Sequence, residues 1–516
     1  MTGFDAIVIG AGSAGSVVTR RLADAGSHVL LLEAGAHDIN PAIHDPLRMG
    51  ELWHSPDDWG YFTVAQAHAF GRRLHWPRGK VLGGSHALNA MIWVRGTPED
   101  FDGWADAGAD GWSWDDVLPV YRDIEKYDGG ASELRGGDGL LDVVGAYELH
   151  PIQQAIIDAA VQTGLPHNHD YNGAETDGVS QQQITIRDGR RLSTYRAYVH
   201  PRLGSSNLDV VTGARVYRLI VEGGRIVGVV YERNGELLTV RADLVVLAAG
   251  TIGSPEILLR SGIGPADELA ALGIDVVADC PGVGANLHDH LLCPVIFATD
   301  RELPLVPSGM SVTQTHLFWR SQEKLASPDT QPIHFSVPMY EAWMRGPASG
   351  FSLMAGLIRP KSRGKLRLSG VAPDAPLVLD PNILAQEDDL LSLEASVRQC
   401  REIGMAPALA EEWGAHEIYP GPDVDTADAL RDYVRRTAIT YHHQVGTLRM
   451  GSDAEAVVDP KLALNGLEGV VVADASVMPA ITSGNTNAPA VLIGERASRF
   501  ILKSSAQDRE AESGAA

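Results

Sequence analysis

Three glycines at Gly10, Gly12 and Gly15, spaced G-x-G-x-x-G, stand between two apolar runs near the start of the chain. Ahead of them, Asp5-Ala-Ile-Val-Ile-Gly10 is a β-branched stretch that predicts a strand buried on both faces of a parallel sheet. Behind them, Ser13 to Ala25 predicts a helix closed by Gly26, and His28-Val-Leu-Leu-Leu-Glu33 predicts a second strand. Each glycine has its own duty. Gly10 allows the tight turn, Gly12 lets a diphosphate approach the backbone, and Gly15 lets the helix pack closely on the strand. The unpaired N–H groups and dipole at the helix start favour the negative charge of that diphosphate. Glu33 ends the second strand, 33 − 15 = 18 residues after the last glycine. Its carboxylate can accept from ribose hydroxyls and would repel a 2′-phosphate. An ordinary glycine-rich turn leaves Glu33 unexplained, so the unit predicts a dinucleotide site. By itself it does not separate a flavin from a nicotinamide dinucleotide.

The chain has 516 residues, which predicts two or three domains. Hydrophobic residues make up 44% and charged residues 21%, so a packed globular protein is expected rather than disorder. The formal charge of −24 repels phosphate backbones and anionic lipid, which argues against nucleic-acid and membrane-surface partners. The cysteines Cys280, Cys293 and Cys400 are odd in number and form no C-x-x-C pair, so neither a disulfide framework nor a cysteine zinc site is expected. The first residues read directly as a strand, with no signal-peptide pattern and no apolar run long enough to span a bilayer. A cytoplasmic location is the simplest expectation, with a frayed polar tail from Ser504 to Ala516.

Further along, residues 34–111 are rich in Gly, Trp and Pro and predict loops with short helices. Helices are predicted for Trp114 to Tyr127 and Pro151 to Gly164. Leu208 to Glu232 predicts strands with a Gly223-Gly224 hairpin, and Asp243 to Gly250 another buried strand leading into a helix over Thr251 to Ser261. Residues 297–381 predict an antiparallel sheet. Helices follow over Leu390 to Met405 and Thr426 to Arg436, then a strand over Glu468 to Ala473 and a last helix over Ala488 to Ile501. The dinucleotide features thus lie at both ends and in the middle. The expected fold is α/β: a Rossmann-like nucleotide domain of discontinuous segments (1–155, 205–296 and 435–516) and an antiparallel-sheet substrate domain (156–204 and 297–434).

Trp76-Pro-Arg-Gly-Lys-Val-Leu-Gly-Gly-Ser-His-Ala-Leu-Asn-Ala-Met-Ile-Trp-Val-Arg-Gly96 resembles the first signature of the glucose–methanol–choline (GMC) oxidoreductase family. Gly250-Thr-Ile-Gly-Ser-Pro-Glu-Ile-Leu-Leu-Arg-Ser-Gly-Ile-Gly264 resembles its second. Gly282 to His290, Tyr441 to Gly451 and Val472 to Pro479 match further motifs in the family's order, so the resemblance spans essentially the whole chain. It implies FAD and alcohol oxidation. The cofactor contacts it implies, together with the fingerprint, are Gly10, Gly12, Ser13, Ala14, Gly15, Glu33, Ala34, Arg78, Leu82, Gly83, Gly84, Ser85, Asn89, Ala90, Met91, Val216, Ala249, Gly250, Asp474, Ala475, Asn485 and Thr486. A carboxylate at Asp474 suits a diphosphate only if it accepts from hydroxyl or N–H groups. Leu88 stands where some members carry the histidine that links flavin covalently, so non-covalent FAD is expected. His86 replaces the family's usual Ser or Thr and is read as a structural or cofactor-contact residue.

Oxidising an alcohol to a carbonyl requires loss of the hydroxyl proton, and histidine is the side chain best suited to take it. His443, in His443-Gln-Val-Gly-Thr447, matches the family's catalytic histidine and is the expected general base. Asn485 matches the second catalytic position, where its amide can donate to the developing alkoxide. His442 stands where the family often has an aromatic residue; it can contact flavin, assist the base or fill that slot, and the last is the leading reading. His288 and His290 are read as a structural and flavin-side segment, and His167 and His169 as solvated loop residues. The leading expectation is an alcohol oxidase or dehydrogenase acting on a primary alcohol, aromatic or furanic ones favoured, with dioxygen or a quinone-type carrier as acceptor. A hydroxynitrile lyase-like enzyme and a flavin-binding module without turnover are the competing readings.

Overall fold

The computed structural model describes residues 3–514. The opening strand is Phe4–Ile9, and it lies between Val29–Leu32 and the C-terminal half of Glu236–Leu247, parallel to both. Leu208–Val211 extends the sheet beyond Val29–Leu32, and Val470–Val472 pairs in parallel with Val245–Leu247. Hence segments far apart in sequence assemble one parallel sheet, as the discontinuous-domain expectation requires. Its strands read as unbroken apolar runs because helices cover it. The helix Ser13–Asp24 packs on the last helix, where Arg21 forms a two-pronged contact with Glu495, Nη2 to Oε1 at 2.8 Å and Nε to Oε2 at 2.9 Å.

Glu236–Leu247 is longer than its apolar core suggests. Residues 236–241 continue an antiparallel meander with Arg215–Glu222 and Arg225–Arg233, turned at Gly223-Gly224. The strand therefore belongs to two arrangements along its length. Its exposed alternating half makes the meander, and its buried half joins the parallel sheet.

The second sheet is antiparallel and runs His416–Tyr419, Leu291–Ala298, Gly350–Leu357, Ile333–Phe335, Thr313–Phe318, Gly178–Gln181. Ile439–Thr440 pairs with Leu291–Leu292 at one corner. After Gly178–Gln181 the chain re-enters this sheet at Leu291, before the 296/297 boundary read from sequence, and leaves it after Thr440, beyond the 434/435 boundary. Leu291–Ala298 and Gly350–Leu357 are buried along their full length. The helices Glu387–Gly404 and Pro151–Gln162 pack against this sheet, and its Leu292, Ile333, Phe335 and Met354 line a cavity toward the first sheet.

Two element ends differ from the sequence reading. The helix from Trp114 stops at Ile124, and Glu125–Tyr127 becomes a strand paired with Leu141–Val143. Buried Glu125 there accepts from Trp93 Nε1 and from Arg135 Nε at 3.1 and 2.8 Å, so tertiary partners override helical continuation. The last helix runs from Asn487 to Gly514 rather than fraying from Ser504. The Ala, Gln, Arg and Glu of that segment are good helix formers, which a reading by polarity alone overlooks. Residues 515–516 of the expected tail lie outside the described residues.

Gly15 is where helix and strand approach most closely: a Cβ there would stand 1.9 Å from the Gly10 carbonyl oxygen. The substitution Gly15→Ala is expected to cost about 1–3 kcal/mol through forced displacement of the turn. Urea midpoints of the two proteins measure it.

Candidate active site

One elongated cavity of about 420 Å³ runs from the glycine turn, between the two sheets, to His443 and Asn485. At its first end lie Gly10, Gly12, Ser13 and Ala14, with Glu33, Ala34 and Val216 beside them. Glu33 is buried, and Oε2 accepts from the Ala11 backbone N–H at 2.9 Å while Oε1 accepts from Gly35 N–H at 2.8 Å. A carboxylate has lone pairs left after two such bonds. Burial raises Glu33 to about 7, against the lowering effect of those N–H groups.

Midway, the glycines of two distant segments nearly touch. A Cβ on Gly84 would stand 2.7 Å from Gly12 Cα, so only glycine there lets the two segments approach this closely. Arg78, Gly84, Ser85, Asn89, Ala90, Ala249, Gly250, Asp474, Ala475 and Thr486 also face the cavity. Leu82, Gly83 and Met91 do not. Leu82 and Met91 are fully buried behind the wall, and Gly83 N–H donates to the Ala11 carbonyl at 3.0 Å. Gly15 likewise packs under the turn rather than facing the space. The structure answers the electrostatic objection to Asp474: its carboxylate accepts from Gly250 N–H at 2.9 Å, Ser254 Oγ–H at 2.5 Å and Ser476 N–H at 2.9 Å. Arg78 spends its guanidinium on the protein, donating to the His442 and Pro77 carbonyls. Burial lowers it to about 10.

At the far end, His443 Nε2 lies 3.2 Å from Asn485 Nδ2, and His443 Nδ1 lies 3.0 Å from His290 Nδ1. The Tyr441 ring stacks on His443 with centroids 4.6 Å apart. The turn carrying His443 is held by Asp289, which accepts from His443 N–H at 2.8 Å, from Gln444 Nε2 at 2.9 Å and from the Thr440 hydroxyl. Burial raises Asp289 to about 6. Burial, and then neighbouring His290, His442 and Arg78, push His443 well below the ordinary imidazole value of 6.5. A neutral imidazole beside a carboxamide, at the end of a buried apolar slot, is a proton acceptor in search of a hydroxyl.

The other histidines separate clearly. His86 is fully buried off the cavity: its Nδ1 accepts from Thr194 N–H at 3.1 Å and its Nε2 meets Thr185 Oγ1 at 2.9 Å, which makes it structural. His288 Nε2 accepts from Ile481 N–H at 3.0 Å and braces the loop before Asn485. His167 and His169 are exposed. His442 lines the cavity at φ +69°, its ring 5.0 Å from Trp53 and its Nδ1 without a partner. His54, Asp58 and His75 bring possible metal-ligand atoms within 4.8 Å. Asp58 is already engaged by His75 Nε2 at 2.9 Å and by the N–H groups of His54, Gly60 and Arg78, and the two imidazoles stack at 3.6 Å. That trio anchors the backbone of Arg78.

Sequence reasoning placed His290 in a structural and flavin-side segment, without a partner, and did not single out Asp289, Gln331 or Tyr441. Nothing in their spacing marks them, because they reach the site from three separate strand ends.

This fold and site define a dinucleotide-dependent oxidoreductase. The chain belongs to the GMC oxidoreductase family, whose N-terminal model matches residues 4–292 and whose C-terminal model matches residues 360–494. It is 36% identical to a Pseudomonas putida alcohol dehydrogenase [acceptor] over 97% of this chain and 96% of that one. It is 38% identical to an oxygen-dependent choline dehydrogenase of Brucella ovis over 96% and 95%. The crystal structure of pyridoxine 4-oxidase from Mesorbium loti superposes with a TM-score of 0.92 at 36% identity, covering 96% of this chain and 99% of that one. The family binds FAD. The residues here fit it: a glycine-lined passage in which a Cβ on Gly84 would collide with Gly12, a helix start facing it, and an unpartnered His442 Nδ1 on the wall.

Two outcomes are expected. Asp289→Ala leaves buried donors of residues 440–444 unpaired and should cost about 3 kcal/mol in chemical denaturation. For Glu33, ribose hydroxyls bind the ionised form, whereas the cofactor-free protein holds it protonated below about 7. FAD affinity should therefore rise with pH up to about 7 and then level off. Fluorescence titration of the apoprotein across that range measures it, and Glu33→Gln should abolish the dependence.

Proposed function

We propose that this protein oxidises a primary alcohol to the aldehyde, with His443 as general base and Asn485 as the donor that steadies the alcohol oxygen. The observation that carries the reading is the His443–Asn485 pair at 3.2 Å, facing the inner end of the cavity. FAD, bound without a covalent link, supplies the hydride acceptor. The protein's part is to take the hydroxyl proton at His443 Nε2 and to direct an Asn485 N–H at the oxygen as charge builds on it. Asn485 does not titrate, so one group governs the protonation. Leu88, 4% exposed, occupies the position before Asn89 and offers no atom for a flavin linkage.

The inner wall supports an apolar alcohol. Met49, Trp53, Ile92, Leu292, Phe335 and Met354 line it, and their thioethers and rings suit an aromatic or furanic body. Glu341, which also lines the cavity, is raised by burial and stands in the opposing field of Arg72, which does not favour holding a quaternary ammonium. The acceptor is dioxygen or a quinone-type carrier. Among the described residues no helix is long and apolar enough to cross a membrane. The cytoplasm is the proposed location, in keeping with three free thiols.

Anaerobic mixing of the FAD-loaded protein with a panel of aromatic, furanic and aliphatic primary alcohols, choline and a cyanohydrin tests the reading. Bleaching by apolar primary alcohols is expected. Cyanohydrin cleavage without bleaching by any alcohol would assign a lyase, and inertness to every compound a binding module. Re-oxidation of the bleached protein by air, or only by a quinone, identifies the acceptor. His443→Gln should slow bleaching roughly 10²–10⁴-fold while FAD content is retained. Because the base works deprotonated and its value is depressed, the rate should fall only as pH drops well below 6.5.

A further inference from the structure

The carboxamide of Asn485 can face His443 in two ways, and only one of them leaves His443 able to accept a proton. If Asn485 presents its N–H, His443 Nε2 carries a lone pair and Nδ1 carries the hydrogen. If it presents its carbonyl, Nε2 carries the hydrogen and the base is blocked. An imidazole's tautomer is set by what its two nitrogens meet.

The side chain that decides this is Gln331, at the start of the strand whose Ile333 and Phe335 line the cavity. Gln331 Nε2 donates to Asn485 Oδ1 at 3.0 Å, and the same nitrogen lies 3.2 Å from His316 Nδ1. With Asn485 Oδ1 so occupied, its Nδ2 must point at His443 Nε2. His443 Nδ1–H then donates to His290 Nδ1 at 3.0 Å. The chain of donors runs in one direction, from Gln331 through Asn485 and His443 to His290.

The reverse direction carries a cost at its source. Gln331 Oε1 is buried without a partner. Turning the amide over would put an NH₂ there, with two stranded donors, and buried orphan N–H groups are rarer than under-satisfied carbonyls. The direction shown has open ends too, because it puts the hydrogens of His316 and His290 on Nε2 atoms that have no partner, so the wild-type tautomer at residue 443 is the observation that decides.

We propose that Gln331 is a positioning residue that sets the His443 tautomer through Asn485, with His290 as the acceptor that completes it. This rests on the reading of His443 as the base. When the alcohol gives its proton to His443 Nε2, the Nδ1–H bond to His290 is already in place, so no ring or amide has to turn during the reaction.

The test uses the FAD-loaded protein with ¹⁵N-labelled histidine. Long-range ¹H–¹⁵N spectra at neutral pH, assigned with His443→Gln, read the tautomer directly, whether or not any alcohol is turned over. The expected wild-type result is an unprotonated Nε2 and a protonated Nδ1 at residue 443. Gln331→Leu removes the donor and should give a mixed tautomer. Gln331→Glu, nearly the same shape, presents acceptors and should shift the balance to Nε2–H, so it serves if the leucine variant does not fold. Both should lower the limiting bleaching rate about 10-fold or more with KM little changed, since a misplaced tautomer removes the base and not the binding surface. An Nε2–H tautomer in the wild type overturns the proposal, as does an unchanged tautomer in either folded variant. Loss of the base reading is seen separately, as full activity in His443→Gln.

Discussion

The structure turns on a buried carboxylate. Asp289 stands just before the strand Leu291–Ala298 of the antiparallel sheet and grips residues 440–444 as they leave that sheet. From there Gln444 accepts from Thr251 Oγ1 at 2.8 Å, and Thr447 Oγ1 donates back to the Thr251 carbonyl at 2.6 Å. Thr251 belongs to the helix that follows the parallel sheet. The turn that carries His443 is therefore tied to both sheets at once. Burying Asp289 is costly for a charge, and three donors offset that cost by satisfying its lone pairs.

The rest of the site follows from how the sheets face each other across this seam. The parallel sheet presents strand ends and a helix start, which suit a diphosphate. The antiparallel sheet presents side chains from one of its faces, which makes an apolar wall. The cofactor and the apolar alcohol proposed above would thus meet where the two kinds of surface adjoin. His443 is held toward its neutral form by burial first and then by the histidine and cationic neighbours around it. A neutral imidazole needs its hydrogen on the correct nitrogen, so a network of uncharged amides becomes as consequential as any ion pair.

Local patterns made much of this legible. The strand–turn–helix unit around Gly10, the hairpin at Gly223-Gly224 and the apolar half of Glu236–Leu247 follow from short-range sterics and burial, and they were readable where they stood. The cavity-facing set from Gly10 to Thr486 was legible through long motifs, apart from Gly15, Leu82, Gly83 and Met91. These sit within a few residues of wall residues, and a motif does not say which way each residue faces. Helix ends were harder. Glu125 leaves its helix for tertiary partners, and the last helix outlasts its apolar face because its surface residues favour helix in their own right.

The sequence alone determined that a dinucleotide would lie on a parallel sheet built from separated segments, because a G-x-G-x-x-G between buried strands with an acid after them has few other uses. It also determined which residue types were available to move a proton. The tertiary structure decided which of them meet. His290, Asp289, Gln331 and Asn485 reach His443 from positions between 42 and 154 residues away, and hydrogen bonds of about 3 Å join them. Spacing along the chain carries no record of such contacts, since they depend on the packing of one sheet against another and on which way each amide turns.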